Sequence, residues 1–429
     1  MLDRIGRLPG KVLAQLRLLR DDPERFGRNL LQYTNPARFE AGLLDLLEQP
    51  PLNVRAAAGL PPALNVLQPL VSPEAMTGGP NTIILLAALV AEAGVKVRIA
   101  TTRAGHRPDM AWFTGHVAKL LGRPAPPGLE VVPVAEPGAV ATVGADDLWL
   151  ATHWTTAQAL RPVLPQMRRG WFLYLVQDFE PGFYAWGSNY ALALETYAMP
   201  HRAAINESLL AAYLQTQGPG LYADPDFIAR HCAVFEPAVD RRVFYPPAAP
   251  RRDARRRLLF YARPTNPRNM LGVGVQALRA AIAGGAFGAE WEFLGIGARG
   301  SLPPLALGGG HVLRPAPWAG YDGYAGTLRQ ADILLCPMLS PHTSYPVLEM
   351  AACGGLSVTN SFGPKTPEAL AALSPDIIGV APTLQGFVDG LAEAAARAGG
   401  ARQDRLSLPA DWDAVLRPVA QWAANAVRE

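Results

Sequence analysis

At 429 residues the chain exceeds what one ordinary core accommodates, and it reads as two domains with an added arm. With 49% apolar and 17% charged residues it can bury a large interior, and a formal charge of +3 excludes the concentrated basic face of a nucleic-acid protein. Nearly all the cations are arginine, with Lys11, Lys96, Lys119 and Lys365 the only lysines, a bias that fits a GC-rich genome. Cys232, Cys336 and Cys353 form no C-x-x-C pair and read as buried thiols in a reducing compartment, not a disulfide frame or zinc site. No apolar run nears the roughly 20 residues of a membrane span and no signal-peptide pattern opens the chain, so a cytoplasmic location is expected.

Residues 1–60 read as a helical N-terminal extension. Arg4, Arg7, Lys11, Arg17 and Arg20 surround Val12, Leu13, Leu16 and Leu19. That pattern suits a helix packed on the first domain, or one touching the inner face of an anionic membrane. Over 61–236, strands at 64–70, 95–101, 129–134, 147–152 and 171–177 alternate with helical stretches such as 82–93. Residues 237–256, with Pro237, Pro246, Pro247, Pro250 and a run of arginines, read as a linker. The alternation restarts over 257–411, with strands at 258–262, 291–294, 311–313, 333–336 and 356–359 and helices at 269–283, 321–330 and 347–353. A last helix within 412–429 is expected to pack back on the first domain. The fold class is therefore α/β, with two Rossmann-like, doubly wound domains facing across a cleft and ligands at the carboxyl ends of the strands.

The strongest chemical signal is Ser340-Pro-His-Thr-Ser-Tyr-Pro-Val-Leu-Glu-Met-Ala-Ala-Cys-Gly-Gly355. A strand ends before it, a polar loop with His342, Ser344 and Tyr345 follows, and Pro346 suits the first turn of a helix. Free N–H groups at such a helix start can hold phosphate. Glu349 is placed to hydrogen-bond a ribose hydroxyl, or simply to favour the positive end of the helix. In Tyr261-Ala-Arg-Pro-Thr-Asn-Pro-Arg-Asn269, Arg263 and Arg268 follow the first strand of the second domain. Their donor forks match diphosphate oxygens, although two solvated loop arginines are the plainer reading.

In the first domain, Asp178 and Glu180 follow a strand among Phe179, Phe183, Tyr184 and Trp186. Aromatic faces interleaved with carboxylates suit a sugar platform, the carboxylates binding acceptor hydroxyls or assisting proton transfer. Gly78 and Gly79, in the first βα loop, permit close approach of a ligand. Asp224-Pro-Asp226 and Asp411-Trp-Asp413 read as turns or helix starts, and no other metal-ligand spacing occurs, so no metal is expected.

Together these segments resemble the large family of retaining GT-B glycosyltransferases over most of residues 64–375. The resemblance implies that Arg263 and Arg268, five positions apart, grip a donor diphosphate, and that Glu349, ahead of Gly354-Gly355, binds the donor ribose. It also implies a glycine-bearing turn at Phe293-Leu-Gly-Ile-Gly297, with Gly295 at the donor, and a cleft histidine, His153, near the transferred sugar. A catalytic base is expected near 314–318, a stretch that carries Trp318.

The family usually has a second glutamate eight positions before Glu349; here that position is Pro341. The local text resembles a narrower branch, the WsaF-like rhamnosyltransferases, as does Gln177-Asp-Phe-Glu-Pro-Gly-Phe-Tyr-Ala-Trp-Gly187. That likeness implies dTDP-L-rhamnose as the donor substrate and no cofactor. The donor would lie on Arg263, Arg268, Gly295, Trp318, His342, Ser344, Tyr345, Pro346 and Glu349. Catalysis would fall to Asp178, Glu180 and His153, and a glycan or lipid-linked oligosaccharide acceptor to Gly78, Gly79, Phe183, Tyr184 and Trp186. Two rivals stay open. A nucleotide-sugar epimerase would not need the 179–186 platform, and a non-catalytic glycan or nucleotide binder is prompted by Pro341. A dehydrogenase is disfavoured, since no G-x-G-x-x-G follows the first strand.

Overall fold

The computed structural model describes residues 19–20, 51–73, 75–76, 78–248, 255–298, 303–317 and 319–429. The chain divides into two compact units, Met1–Pro51 and Leu52–Glu429. In the first unit Leu19 and Arg20 are helical; of the arm expected over residues 1–60, the other residues before Pro51 lie outside the described residues. The last ten residues of that arm correct the expectation of a helix. They hold β1 (Val54–Ala57), which pairs in parallel with β5 (Ala141–Gly144). Prolines at 50, 51, 61 and 62 with Gly59 at φ 80 forbid a continuous helix there.

The first sheet contains β2 (Ala63–Gln68), β3 (Lys96–Thr101), β4 (Leu129–Pro133), β6 (Leu148–Ala151), β7 (Phe172–Val176), β8 (His201–Asn206) and β9 (Cys232–Phe235). Their spatial order is β4-β3-β2-β6-β7-β8-β9, every pair parallel. β2, β6 and β7 are buried at every residue, which is why they read as near-continuous apolar runs. The second sheet contains β10 (Arg256–Tyr261), β11 (Trp291–Ile296), β12 (Leu305–Gly308), β13 (His311–Pro315), β14 (Ile333–Leu335), β15 (Leu356–Asn360) and β16 (Ile377–Val380). It runs β12-β13-β11-β10-β14-β15-β16, with β12 antiparallel at one edge. In both sheets the order reverses at the first strand: β2 lies between β3 and β6, and β10 between β11 and β14. Loops leaving the carboxyl ends of strands at such a reversal splay apart and leave a crevice.

Two segments cross between the sheets, the linker after β9 and the stretch after residue 398. They run side by side: Val239 N–H donates to the Pro409 carbonyl at 2.9 Å. Arg241 stitches them further, donating to the carbonyls of Leu406 (3.0 Å) and Leu408 (3.1 Å) and pairing with Asp404 at 2.7 Å. The second crossing feeds the helix Trp412–Arg428, whose Leu416, Val419, Ala420, Ala423 and Ala424 join one core with the largely apolar helix Gly79–Glu92 of the first sheet. Its alanines let the two helices approach closely. Arg169 satisfies its last carbonyls at Ala426 (2.6 Å) and Val427 (2.8 Å). Cys336 and Cys353 are buried free thiols, and Cys232 is half-buried. No helix among the described residues is long and apolar enough to cross a membrane.

Candidate active site

The loops leaving the carboxyl ends of the two sheets meet. From the first sheet come Gly78 after β2, His153 after β6, Gln177 and Asp178 after β7, and Glu207 after β8. From the second come Arg263 and Arg268 after β10, residues 336–344 after β14, and Lys365 after β15. Asp178 is the centre of the seam: it pairs with Arg268 and accepts from the Ser340 hydroxyl and, at 2.8 Å, from Phe179 N–H. Burial works to raise its carboxyl, but the Arg268 charge and these donors outweigh it and hold Asp178 below the usual carboxylate range. The Arg268 guanidinium also lies 4.0 Å over the Phe183 ring, a cation–π contact, and its Nε–H has no partner.

The loop before the helix Tyr345–Ala352 is held from beneath. Asn360 accepts from Met338 N–H at 2.7 Å and donates to its carbonyl at 3.0 Å, and Asn269 donates to the Pro337 carbonyl at 3.1 Å. Lys365, fully buried, donates to the carbonyls of Met338 (2.9 Å) and His342 (3.3 Å). Burial pushes its ammonium down to about 8 against the opposing pull of Glu207, Cys336 and Asp178. Ser344 sits at φ 82, a left-handed conformation that strains a residue with a side chain, and its N–H is tied to His342 Nδ1 at 3.0 Å. Pro346 occupies the first turn of the helix as expected of its residue type.

Glu349, on that helix, is partly buried and accepts from Tyr324 OH at 2.9 Å; burial pushes its carboxyl up to about 7. Arg263 lies 5.8 Å from the Tyr261 ring, beside the same cluster. The glycine this cluster requires is Gly297, at φ 86, where a Cβ would fall 2.6 Å from Tyr261. Gly295, expected at the donor, is instead inside β11, its carbonyl accepting from Ala316 N–H at 2.8 Å; the turn falls two residues later, at Gly297. Trp318 lies outside the described residues.

Gly78 and Gly79 open the helix Gly79–Glu92, and the space a side chain would fill faces Tyr345 from Gly78 (3.8 Å) and Gln177 from Gly79 (3.2 Å). Gly78 thus faces the second domain, and Gly79 packs against a side chain of its own domain. His153 caps the helix Trp154–Leu160, accepting at Nδ1 from Thr155 N–H at 3.3 Å, and stacks on Phe183 at 6.1 Å. Burial pushes it down to about 4, so the ring is neutral near pH 7 with its proton on Nε2, a hydrogen-bond donor rather than a free base. Tyr184 is partly buried and accepts from Trp154 Nε1 at 3.0 Å, whereas Trp186 is 92% exposed.

Glu180 corrects the sequence reading. A turn at Glu180–Phe183 rotates it away from the cleft into the first domain, where Trp154 N–H (2.5 Å) and Tyr174 OH (3.0 Å) bind it. Burial, against those two hydrogen bonds, pushes its carboxyl up to about 8. The folded protein therefore holds a proton that the unfolded chain, near 4.5, has released, and stability present below that value drains away as pH rises toward 8. Glu180→Gln should match the parent in thermal melts at pH 5 and melt higher at pH 8; an equal or lower melting point at pH 8 counts against the assignment.

Three seam residues carried no sequence signal that stood out. Asn206 donates to Tyr345 OH at 2.6 Å. Glu207, buried at φ 81, accepts from Thr343 N–H (2.7 Å) and hydroxyl (2.9 Å), and burial raises its carboxyl. Lys365 was visible only as a lone lysine after a Gly-Pro turn in an arginine-rich chain. The Asp-x-Asp strings stay outside the cleft: Asp224 pairs with Arg230 and Asp411 caps the last helix.

Two doubly wound domains meeting at the carboxyl ends of their sheets, with paired arginines and a helix start at one switch point, define a GT-B glycosyltransferase fold. Solved structures bear out that fold. An alpha,alpha-trehalose-phosphate synthase (UDP-forming) from Burkholderia vietnamiensis aligns at a TM-score of 0.53 over 86% of this chain and 99% of its own, at 12% identity. A sucrose-phosphate synthase from Thermosynechococcus elongatus aligns at 0.50 over 85% of this chain and 94% of its own, at 13% identity. The chain belongs to the WsaF family: the family's N-terminal domain matches residues 63–208 and its C-terminal domain residues 256–392. It is also 38% identical over 234 residues to the O-antigen biosynthesis protein RfbC of Myxococcus xanthus, a match spanning 52% of this chain and 16% of that relative.

Proposed function

We propose that this protein transfers a sugar, L-rhamnose or a close relative, from a dTDP-linked donor to a growing cell-surface polysaccharide or lipid-linked oligosaccharide, with retention of anomeric configuration. The observation that carries the reading is the convergence of Arg263, Arg268 and Glu349 with the start of the helix Tyr345–Ala352 at the β10/β14 switch point. Arginine forks and backbone N–H groups there suit a departing diphosphate without a metal, and the partly buried Glu349 carboxyl suits a ribose hydroxyl. Steadying that leaving group lets an acceptor hydroxyl attack an oxocarbenium-like centre, with neutral His153 donating a hydrogen bond beside it. Proline at 341 removes a carboxylate from the sugar pocket, which suits a 6-deoxy sugar with one hydroxyl fewer. The part of the RfbC relative in O-antigen biosynthesis supports a surface glycan as product. Action in the cytoplasm, with the basic N-terminal segment touching anionic lipid, belongs to the same reading.

Calorimetric titration with dTDP-L-rhamnose, dTDP, UDP-glucose and GDP-mannose, in the presence of EDTA, tests it. Micromolar binding of the dTDP ligands is expected, lost in Arg263→Ala. Preference for UDP or GDP ligands would remove the rhamnose assignment, and binding of none of the four would remove the transferase reading.

A further inference from the structure

We propose that His342 is a specificity-determining residue that reads the sugar of the donor through its Nε2–H, an inference that rests on the nucleotide-sugar function above. Ser344 N–H donates to His342 Nδ1 at 3.0 Å. A backbone N–H cannot accept, so Nδ1 is bare and the proton of the neutral ring sits on Nε2. That Nε2–H has no hydrogen-bond partner, although His342 is only 7% exposed. A buried donor without a partner costs about 1–3 kcal/mol, so its retention calls for a ligand oxygen that accepts from it.

The ring is not free to turn elsewhere. His342 N–H donates to Ser340 Oγ at 3.1 Å, its carbonyl accepts from Lys365 at 3.3 Å, and the ring meets Tyr345 edge-to-face at 5.4 Å. Asn206, from the opposite domain, touches the same tyrosine. Its Nδ2 donates to Tyr345 OH at 2.6 Å, which leaves Oδ1 buried as an acceptor without a partner. One fixed donor and one fixed acceptor thus flank Tyr345, one from each domain.

A phosphate oxygen only accepts and would be repelled by Asn206 Oδ1, whereas a hydroxyl both donates and accepts. The complementary ligand is therefore the hydroxylated ring of a sugar, while Arg263 and Arg268 take the diphosphate. Asp178 lies close to His342, the two joined through Ser340 Oγ, with its own partners already made, so a further carboxylate on the sugar would meet like charge. The class of ligand is a neutral pyranose, not a uronic acid.

The test is calorimetric titration of the full chain with dTDP and with dTDP-L-rhamnose, for the parent, His342→Ala and His342→Gln. His342→Ala should bind dTDP within about twofold of the parent and dTDP-L-rhamnose about tenfold or more weakly; His342→Gln, which keeps a terminal N–H, should recover part of the loss. Equal weakening toward both ligands would mean that the residue merely shapes the loop, and unchanged binding of both would mean that it reads nothing; either overturns the proposal. A parent that binds dTDP but gains nothing from the sugar also overturns it while leaving the nucleotide site standing. A parent that binds neither ligand overturns the proposed function itself, and this inference with it.

Discussion

Arg268→Ala is expected to remove detectable nucleotide-diphosphate binding and to lower unfolding free energy at pH 7 by about 3–5 kcal/mol, the range for deleting one partner of a buried ion pair. The side chains of Arg268 and Asp178 are only 12% and 10% exposed, so the substitution strands a carboxylate in low dielectric beside Ser340. Phe183 loses the cation on its face at the same time. Asp178→Asn should cost less, because the amide still accepts from Ser340 and Phe179 and the remaining guanidinium keeps its aromatic contact. The double substitution should recover part of the Arg268→Ala loss, since no lone carboxylate remains. Asp178 titrates below its ordinary value of 3.8 in the fold, so its contribution is present above that pH and lost as pH falls through the folded value. In Arg268→Ala the stranded carboxylate is relieved by protonation, so the deficit should shrink toward pH 4. Urea unfolding at pH 7 and pH 4 reads both effects; a loss under 1 kcal/mol at pH 7 would show that the pair is solvated and not a structural clasp.

Gly354→Val should destabilise by about 3–5 kcal/mol, combining the penalty of a left-handed residue with overpacking. Gly354, at φ 68, ends the helix Tyr345–Ala352, and a Cβ there would fall 2.7 Å from Gln403 N and 2.9 Å from its carbonyl oxygen. Those neighbours are backbone of the second crossing and have little freedom to retreat. Arg402 fastens that crossing to the helix, donating to the carbonyls of Gly354 (3.3 Å), Arg329 (2.9 Å) and Ala331 (2.7 Å). Displacing it shifts the helix that carries Glu349, so donor affinity should fall with stability. Gly272→Ala, in the helix Leu271–Ala283 with open space around its Cα, is the control and should raise the melting temperature slightly. Equal melting temperatures for Gly354→Val and the parent would refute this account of the glycine.

Much of the architecture was legible because parallel strands buried on both faces advertise themselves as apolar runs between amphipathic helices. The positions of Arg263, Arg268 and Glu349 followed from their place after strands or at a helix start, which fixes their edge of the sheet. What stayed hidden depends on partners distant in sequence. Glu180 reads like Asp178, two residues earlier, yet a single turn sends one to the seam and the other beneath Tyr174. Lys365 shows in the sequence only as a lone lysine, because its burial is created by carbonyls of Met338 and His342 on another strand's loop. Glu207 is invisible for the same reason, its partner Thr343 being 136 positions away. Strand β1 escaped because four residues of mixed character make a strand only when β5 is beside them.

The helix Trp412–Arg428 has a consequence for how the chain comes off the ribosome. Domains usually fold in the order of synthesis. Here the apolar helix Gly79–Glu92 is covered by residues made more than three hundred positions later, while the second sheet and its helices lie within one contiguous stretch, 256–397. The later-made domain can therefore complete its core first. Until residue 428 emerges, the earlier-made one carries an uncovered apolar face, the surface a holding chaperone would bind during translation.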